Sequence, residues 1–263
     1  MQIHWGVATD AGGRRQVNED SVLAHPPVFA VADGMGGHAR GDMASSTIVE
    51  ELRRLAELDR AVRPEDVLEA LHAAANRIRE TMAGQDEVAG STAVGAVLTE
   101  QDGEPVWLVF NVGDSRAYRW TAQGMEQISV DHSLVQEMVD SGALSPAEAR
   151  EHPQRNVITR AVGTGRVPEV DFWMLRAGGT DQLVLCSDGL FGELRDEEIA
   201  EVMAEAAHPQ EAAATLVRRA VHGGGAADNV TVVVVGTTNG APAEAADLDE
   251  SESTLPRVES GAG

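Results

Sequence analysis

Val28-Phe29-Ala30-Val31-Ala32-Asp33-Gly34 is a run of five apolar residues that ends on an acid and a glycine. The same device recurs at Leu183-Val184-Leu185-Cys186-Ser187-Asp188-Gly189, and in reverse order where Asp228-Asn229 precedes Val230 to Val235. A fourth run, Val106 to Val112, leads into Gly113-Asp114. Taken singly, Asp-Gly after a strand is a turn signal. These runs are apolar at consecutive positions, however, which marks strands buried on both faces and puts their terminal acids at the rim of a core. If the strands at 182–187 and 230–235 pair antiparallel, the end of one lies beside the start of the other. Asp188 and Asp228 then meet at one sheet edge.

Working outward, short apolar strands are expected at Ile3 to Thr9 and Ser21 to Ala24, alongside the run at 28–32. Two amphipathic helices follow. Ala44, Ile48, Leu52 and Leu55 recur at helical spacing, as do Val67, Leu71, Ala74, Ala75, Ile78 and Met82 after Pro64. A second strand set covers Ser91 to Thr99, Val106 to Val112, Ser115 to Trp120 and Met125 to Ile128. Residues 133–151 read as two short helices broken at Gly142 and Pro146. Strands are expected again at Val157 to Val162, Val167 to Trp173 and Gln182 to Cys186. Helices around Ile199 to Ala206 and Pro209 to Val221 precede the last strand, Val230 to Val235. Strands and helices do not alternate regularly, so a doubly wound parallel sheet is disfavoured. The pattern fits an α+β domain of antiparallel sheets covered by helices. From Thr237 the chain turns acidic and rich in Ala, Ser, Pro and Gly without hydrophobic period, which predicts a disordered tail over 237–263 behind one domain at 1–236.

The 263 residues carry 43 acidic and 20 basic side chains, every basic one an arginine, for a formal charge of -23. The tail holds six acids and one arginine, so about -18 remains on residues 1–236. Such a surface repels phosphate backbones and anionic lipid, which argues against nucleic-acid and membrane partners. The single cysteine, Cys186, precludes an internal disulfide framework or a cysteine zinc site and fits a reducing, cytoplasmic location. No apolar run approaches the roughly 18 residues of a membrane span.

Acids gathered at one edge cannot all stay ionised without counter-charge. With lysine absent, arginine or a bound cation must supply it. An oxygen-only ligand set selects a hard ion, Mg²⁺ or Mn²⁺. Two such ions about 3.5–4 Å apart hold a bridging water or hydroxide, an arrangement used for in-line attack on phosphorus. The segment Arg15-Gln16-Val17-Asn18-Glu19-Asp20 is either an exposed polar turn or part of this site. In the second reading Glu19 and Asp20 lie near the metals and Arg15 is a fork for a phosphoryl group.

In order along the chain, Arg15-x-x-Asn18-Glu19-Asp20, Asp33-Gly34-Met35-Gly36-Gly37-His38, Gly90-Ser91-Thr92, Gly113-Asp114-Ser115-Arg116, Asp131-His132-Ser133, His152-Pro153-x-Arg155-Asn156, Ser187-Asp188-Gly189 and Asp228-Asn229-Val230-Thr231 can be read as one set. This set resembles the bacterial metal-dependent type 2C (PPM) protein serine/threonine phosphatases. The resemblance implies a four-layer αββα sandwich, two antiparallel β-sheets flanked by helix pairs, with the metals at one end. It implies a Mn²⁺- or Mg²⁺-dependent hydrolase acting on phosphoserine and phosphothreonine of proteins, without a phosphoenzyme, against bacterial Ser/Thr kinases, and working as a monomer. By similarity Asp33 bridges two ions, Gly34 offers its carbonyl to one, and Asp188 and Asp228 hold the other. Glu19 and Asp20 orient metal-bound waters, and Asp114 matches a third, weaker metal position. Residues 131–160 form a flap, in which Asn156 aligns near a position that contributes to that third metal in some members. Arg15 binds the substrate phosphate. Met35 stands where the eukaryotic branch has a proton-donating histidine; His38, three residues on, is the candidate donor, with a metal-bound water as the alternative.

Overall fold

The computed structural model describes residues 1–36, 40–85, 88–165 and 167–238. Strands β1 (Gln2–Asp10), β2 (Asp20–His25) and β3 (Val28–Met35) open the chain. Helices α1 (Gly41–Arg53) and α2 (Pro64–Thr81) follow, then β4 (Gly90–Ser91), β5 (Ala93–Gln101), β6 (Glu104–Val112), β7 (Arg116–Thr121) and β8 (Gly124–Gln127). The flap segment carries α3 (Leu134–Asp140) and α4 (Pro146–Glu151). Last come β9 (Asp171–Arg176), β10 (Gln182–Cys186), the single turn α5 (Asp188–Phe191), α6 (Asp196–Glu205), α7 (Pro209–Arg218) and β11 (Val230–Thr238).

All described strand pairs are antiparallel. One sheet runs β1-β11-β10-β7-β8; the other runs β2-β3-β5-β6-β9, with β4 on β3. The two doubly buried runs show why every position had to be apolar. In β3, Phe29 and Val31 point into the layer between the sheets, whereas Val28, Ala30 and Ala32 point to α1 and α2. In β11, Val233 and Val235 face the same central layer, and Val230, Val232 and Val234 face α6 and α7. A period-2 strand with a hydrophobic neighbour on each face must be apolar throughout. Three cores therefore stack between four layers, the αββα sandwich expected from the resemblance. Full burial of each such Val, Leu or Phe side chain contributes ~1.5–3 kcal/mol.

The outer helices bury one stripe each, Ala44, Ile48 and Leu52 on α1 against Val67, Leu71, Ala74 and Ile78 on α2. Pro64 occupies the first turn of α2, where its missing N–H has no intrahelical partner to lose. The buried Glu51 is compensated by Arg54 and by Arg77 of α2, each 2.5 Å away. Arginine thus neutralises a buried acid in the scaffold.

Three expectations change. Residues 157–162 form no strand; Ile158 and Val162 make only isolated bridges, to Ser133 and Ser91. The two bridges go to different segments, so no ladder continues between them; Val157 is exposed, and Ala161 and Val162 are buried. The strand expected at 167–173 begins later, at Asp171, and ends at Arg176. The final strand continues to Thr238, where Thr237 and Thr238 pair with Ile3 and Gln2, so two residues read as the start of the tail belong to the sheet. The remainder of the tail, 239–263, lies outside the described residues. Among the described residues no helix is long and apolar enough to cross a membrane.

Candidate active site

The acids gather at one end of the sandwich because both sheets deliver strand ends there. Asp20 opens β2 directly opposite Asp33 near the end of β3, so the two side chains share one face. Asp188 leaves β10 and Asp228 precedes β11, the strand paired to it antiparallel, as the two runs anticipated. Asp114 follows β6 on the Gly113 turn and is 9% exposed. Close backbone approach fixes two glycines. A Cβ on Gly34 would lie 2.2 Å from the Gly41 carbonyl oxygen, and one on Gly189 2.0 Å from that of Asn229.

Polar neighbours position these acids. The Asp33 N–H donates to Thr92 Oγ1 (3.0 Å), and its carbonyl accepts from the Thr92 N–H (2.9 Å). Thr92 Oγ1 is in turn 2.7 Å from Ser115 Oγ. Asp20 Oδ2 accepts from the Ser187 hydroxyl at 2.8 Å, and Ser187 Oγ accepts the Thr231 N–H at 3.0 Å. Asn229 staples the loop before β2: its Oδ1 accepts the buried Glu19 N–H (2.9 Å) and its Nδ2 donates to the Ala11 and Val17 carbonyls (2.9 and 3.1 Å). That loop carries Arg15, whose Nη2 donates to Asp228 Oδ2 at 2.7 Å and whose Nη1 is 3.7 Å from Glu19 Oε2. The Arg15 side chain remains half exposed at the rim.

Burial pushes the Asp20 carboxyl up to about 6, with repulsion from Asp188 and Asp228 adding to it and the Ser187 hydrogen bond opposing it. Asp188 is pushed up to about 6 by burial and then by Asp228. Asp114 rises to about 7 through burial, Asp188 and Asp131. Asp33 is raised well above the usual carboxylate range by burial and by the charges of Asp20, Asp188, Asp114 and Asp228. The five aspartates therefore occupy one electrostatic field. Glu19 Oε1, Asp20 Oδ1 and Asp188 Oδ1 are buried with no hydrogen-bond partner. Among the described residues no three His, Cys, Asp or Glu side chains converge closely enough to hold an ion. The donor chemistry nonetheless fits a hard divalent cation: oxygen atoms only, several of them unpartnered, on carboxylates that repel one another.

Arg15, Glu19, Asp20, Asp33, Asp114, Asp188 and Asp228 are thus brought together, and Gly34 lies beside them on β3. His38 lies outside the described residues. Sequence reasoning attached no role to Thr92, Ser115, Ser187 or Asn229. Asn229 could have been found from its place next to Asp228, whereas the hydroxyls carry no local signal. His132 is structural, as its burial suggests: its Nδ1 accepts the Gly113 N–H (3.0 Å) and its Nε2 lies 3.2 Å from Asp171 Oδ2. The first contact assigns the proton to Nε2, and burial lowers the ring pKa. Arg116 pairs with Asp131 through Nε and Nη2 (3.0 and 2.7 Å) and stacks 3.8 Å over the Phe191 ring. Cys186 is fully buried and burial raises its thiol pKa, so it acts as a small core residue.

The family pattern described as Protein phosphatase 2C matches residues 13–223. The chain belongs to that family. Among curated relatives of this phosphatase 2C chain, the serine/threonine protein phosphatase PstP of Mycobacterium tuberculosis is 38% identical over 271 residues, covering 99% of this chain and 51% of that protein. The chain therefore spans about half the length of that relative. The serine/threonine phosphatase stp of Listeria innocua is 32% identical over 245 residues, covering 89% of this chain and 95% of that protein. Among solved structures, the catalytic domain of PstP in complex with two manganese ions superposes with a TM-score of 0.80 at 32% identity, over 90% of this chain and 99% of that one. The two antiparallel sheets and flanking helices of this chain are the phosphatase 2C fold.

Proposed function

We propose that this chain is a Mn²⁺- or Mg²⁺-dependent phosphatase of phosphoserine and phosphothreonine in proteins, opposing Ser/Thr kinases. The observation that carries the reading is the meeting of Asp20, Asp33, Asp114, Asp188 and Asp228 at one end of the sandwich, with Arg15 at its rim. Asp33, the Gly34 carbonyl, Asp188 and Asp228 would hold two ions, Glu19 and Asp20 would orient water on them, and Asp114 would serve a third. When bound, the ions supply Lewis-acid polarisation of the phosphoryl oxygens and a water acidic enough to attack phosphorus in line.

The chain's own groups do the rest. Arg15 presents a planar pair of donors to the phosphate and can leave Asp228 for it once that carboxylate has another cation. Ser187 fixes the orientation of the Asp20 carboxylate and Thr92 holds the Asp33 main chain, so little rearrangement is needed during reaction. His38 would give a proton to the departing serine or threonine oxygen, a poor leaving group unprotonated; such a donor contributes ~10²–10⁴-fold. A reducing, cytoplasmic location fits the lone, buried Cys186.

The test is hydrolysis of phosphothreonine peptides with Mn²⁺, with Mg²⁺ and in chelator. Activity requiring the metal and falling by at least ~10²-fold in Asp33→Asn is expected. Undiminished turnover in chelator would refute the reading.

A further inference from the structure

A cleft of about 410 Å³ opens beside the aspartate cluster, between the flap helices and the segment 188–196. Its size lies within the ~300–1,000 Å³ typical of ligand sites. Asp114 and Asp188 line its inner end, and Arg150, Arg155, Arg195 and Asn156 line it farther out. The charge here departs from that of the whole chain. With Asp114 and Asp188 assigned to metal, four arginines line the cleft against three carboxylates, Asp131, Glu193 and Asp196. Two of these acids are already engaged: Asp131 by Arg116, and Asp196 by Arg150 at 3.8 Å and by the Tyr118 hydroxyl at 3.3 Å.

Arg155 differs from the other three arginines. Arg116 holds Asp131, Arg150 lies near Asp196, and Arg195 lies 3.4 Å from Glu198. Among the described residues the Arg155 guanidinium makes no hydrogen bond or ion pair, in a chain with 43 acids. Its backbone is held in a turn, with its N–H donating to the His152 carbonyl (3.0 Å) and the Gln154 N–H donating to His152 Nδ1 (3.2 Å). A fixed backbone and an uncommitted planar cation suit recognition of an incoming anion.

We propose that this cleft binds the polypeptide flanking the phosphorylated residue, and that Arg155, aided by Arg150, selects segments carrying an anionic side chain. The shared chemistry is a carboxylate or a second phosphoryl group one to a few residues from the scissile one. This rests on the phosphatase reading and adds the substrate class to it. Neither arginine belongs to the catalytic machinery, so turnover of a phosphate without flanking peptide does not depend on them.

The experiment compares kcat/KM, with Mn²⁺, on four phosphothreonine peptides whose neighbours are aspartate, a second phosphothreonine, alanine or arginine, and on a small aryl phosphate. The wild type is expected to favour the aspartate and doubly phosphorylated peptides over the alanine one, through KM, and to disfavour the arginine one. Arg155→Ala should lower the preference about two- to fivefold, the range of a solvent-accessible ion pair, and Arg155→Glu should reverse it. Arg150→Ala should act in the same direction more weakly. Aryl phosphate turnover should stay unchanged in all three variants, and 0.5 M salt should flatten the preference. A preference for only one of the two anionic peptides identifies which anion the cleft takes and supports the assignment. Equal kcat/KM across the four peptides, or a preference untouched by Arg155→Glu, overturns the cleft assignment while leaving the phosphatase activity standing. No metal-dependent hydrolysis of any substrate overturns the activity and this assignment together.

Discussion

Asp188→Asn should make the protein more stable and far less active, and the two effects should separate with metal and pH. In the folded chain the Asp188 carboxyl moves from 3.8 to about 6, chiefly through burial and then through Asp228. That displacement corresponds to ~3 kcal/mol of preference for the protonated form. Without metal at pH 7.5 the group is ionised and the fold bears this penalty. Asparagine keeps the shape and removes the charge, although it also changes the hydrogen bond from the Gly189 amide. A net gain of ~1–3 kcal/mol is expected, or ~2–10 °C in Tm for a domain of this size. The sign with pH follows from linkage. Below about pH 4 Asp188 is protonated in both folded and unfolded chains, so wild type and variant should differ little. The wild type loses relative stability as pH rises from there through about 6, and the gap is full above that. Urea or thermal unfolding in chelator at pH 4.5, 6 and 7.5 measures it. With Mn²⁺ the order should invert, because the wild type gains the ion's binding free energy and the variant gains less. A variant less stable than wild type in chelator at pH 7.5, or a gap that does not change with pH, would refute the account of Asp188 as a repelled carboxylate awaiting a cation.

Other outcomes follow from the same geometry. Mn²⁺ affinity should fall as pH drops through 7 to 6, where Asp114, Asp20 and Asp188 take up protons in the metal-free protein, and calorimetry in two buffers should show protons released on binding. Arg15→Ala should raise KM for phosphothreonine peptides and cut kcat/KM by ~10²-fold, with metal affinity within a fewfold of wild type; steady-state kinetics and metal titration check both. Asn229→Ala frees a buried N–H and two carbonyls of the 11–19 loop, so it should destabilise the protein by ~1–3 kcal/mol in urea titrations and raise KM along with it. His38→Gln should slow phosphothreonine peptides by at least ~10²-fold yet leave an aryl phosphate nearly unaffected, because that leaving group departs without a proton.

Much of the framework was legible locally. Val28 to Ala32 and Val230 to Val235 announce strands covered on both faces, and Ala44 to Leu55 and Val67 to Met82 announce amphipathic helices, because periodicity records which faces a segment buries. The acids at the strand ends, and the oxygen-only chemistry of a cation site, could be read the same way. Residues 157–162 match a strand in apolar content, yet Ile158 and Val162 bridge to two different segments and no ladder forms. Nothing local distinguishes those two cases.

By itself the sequence determined the doubly buried strands and amphipathic helices, and which acids end on a core. Tertiary structure alone decided that Asp20 stands opposite Asp33, that Ser187 orients the Asp20 carboxylate and Thr92 holds the Asp33 main chain, that Asn229 ties down the loop bearing Arg15, and that Arg155 lines a cleft opening onto Asp188. The physical reason is range. Hydrophobic period is a property of a few consecutive residues, whereas register, hydrogen bonding across some 200 positions, and the desolvation and repulsion that lift several carboxyl groups together exist only after two sheets have closed upon each other.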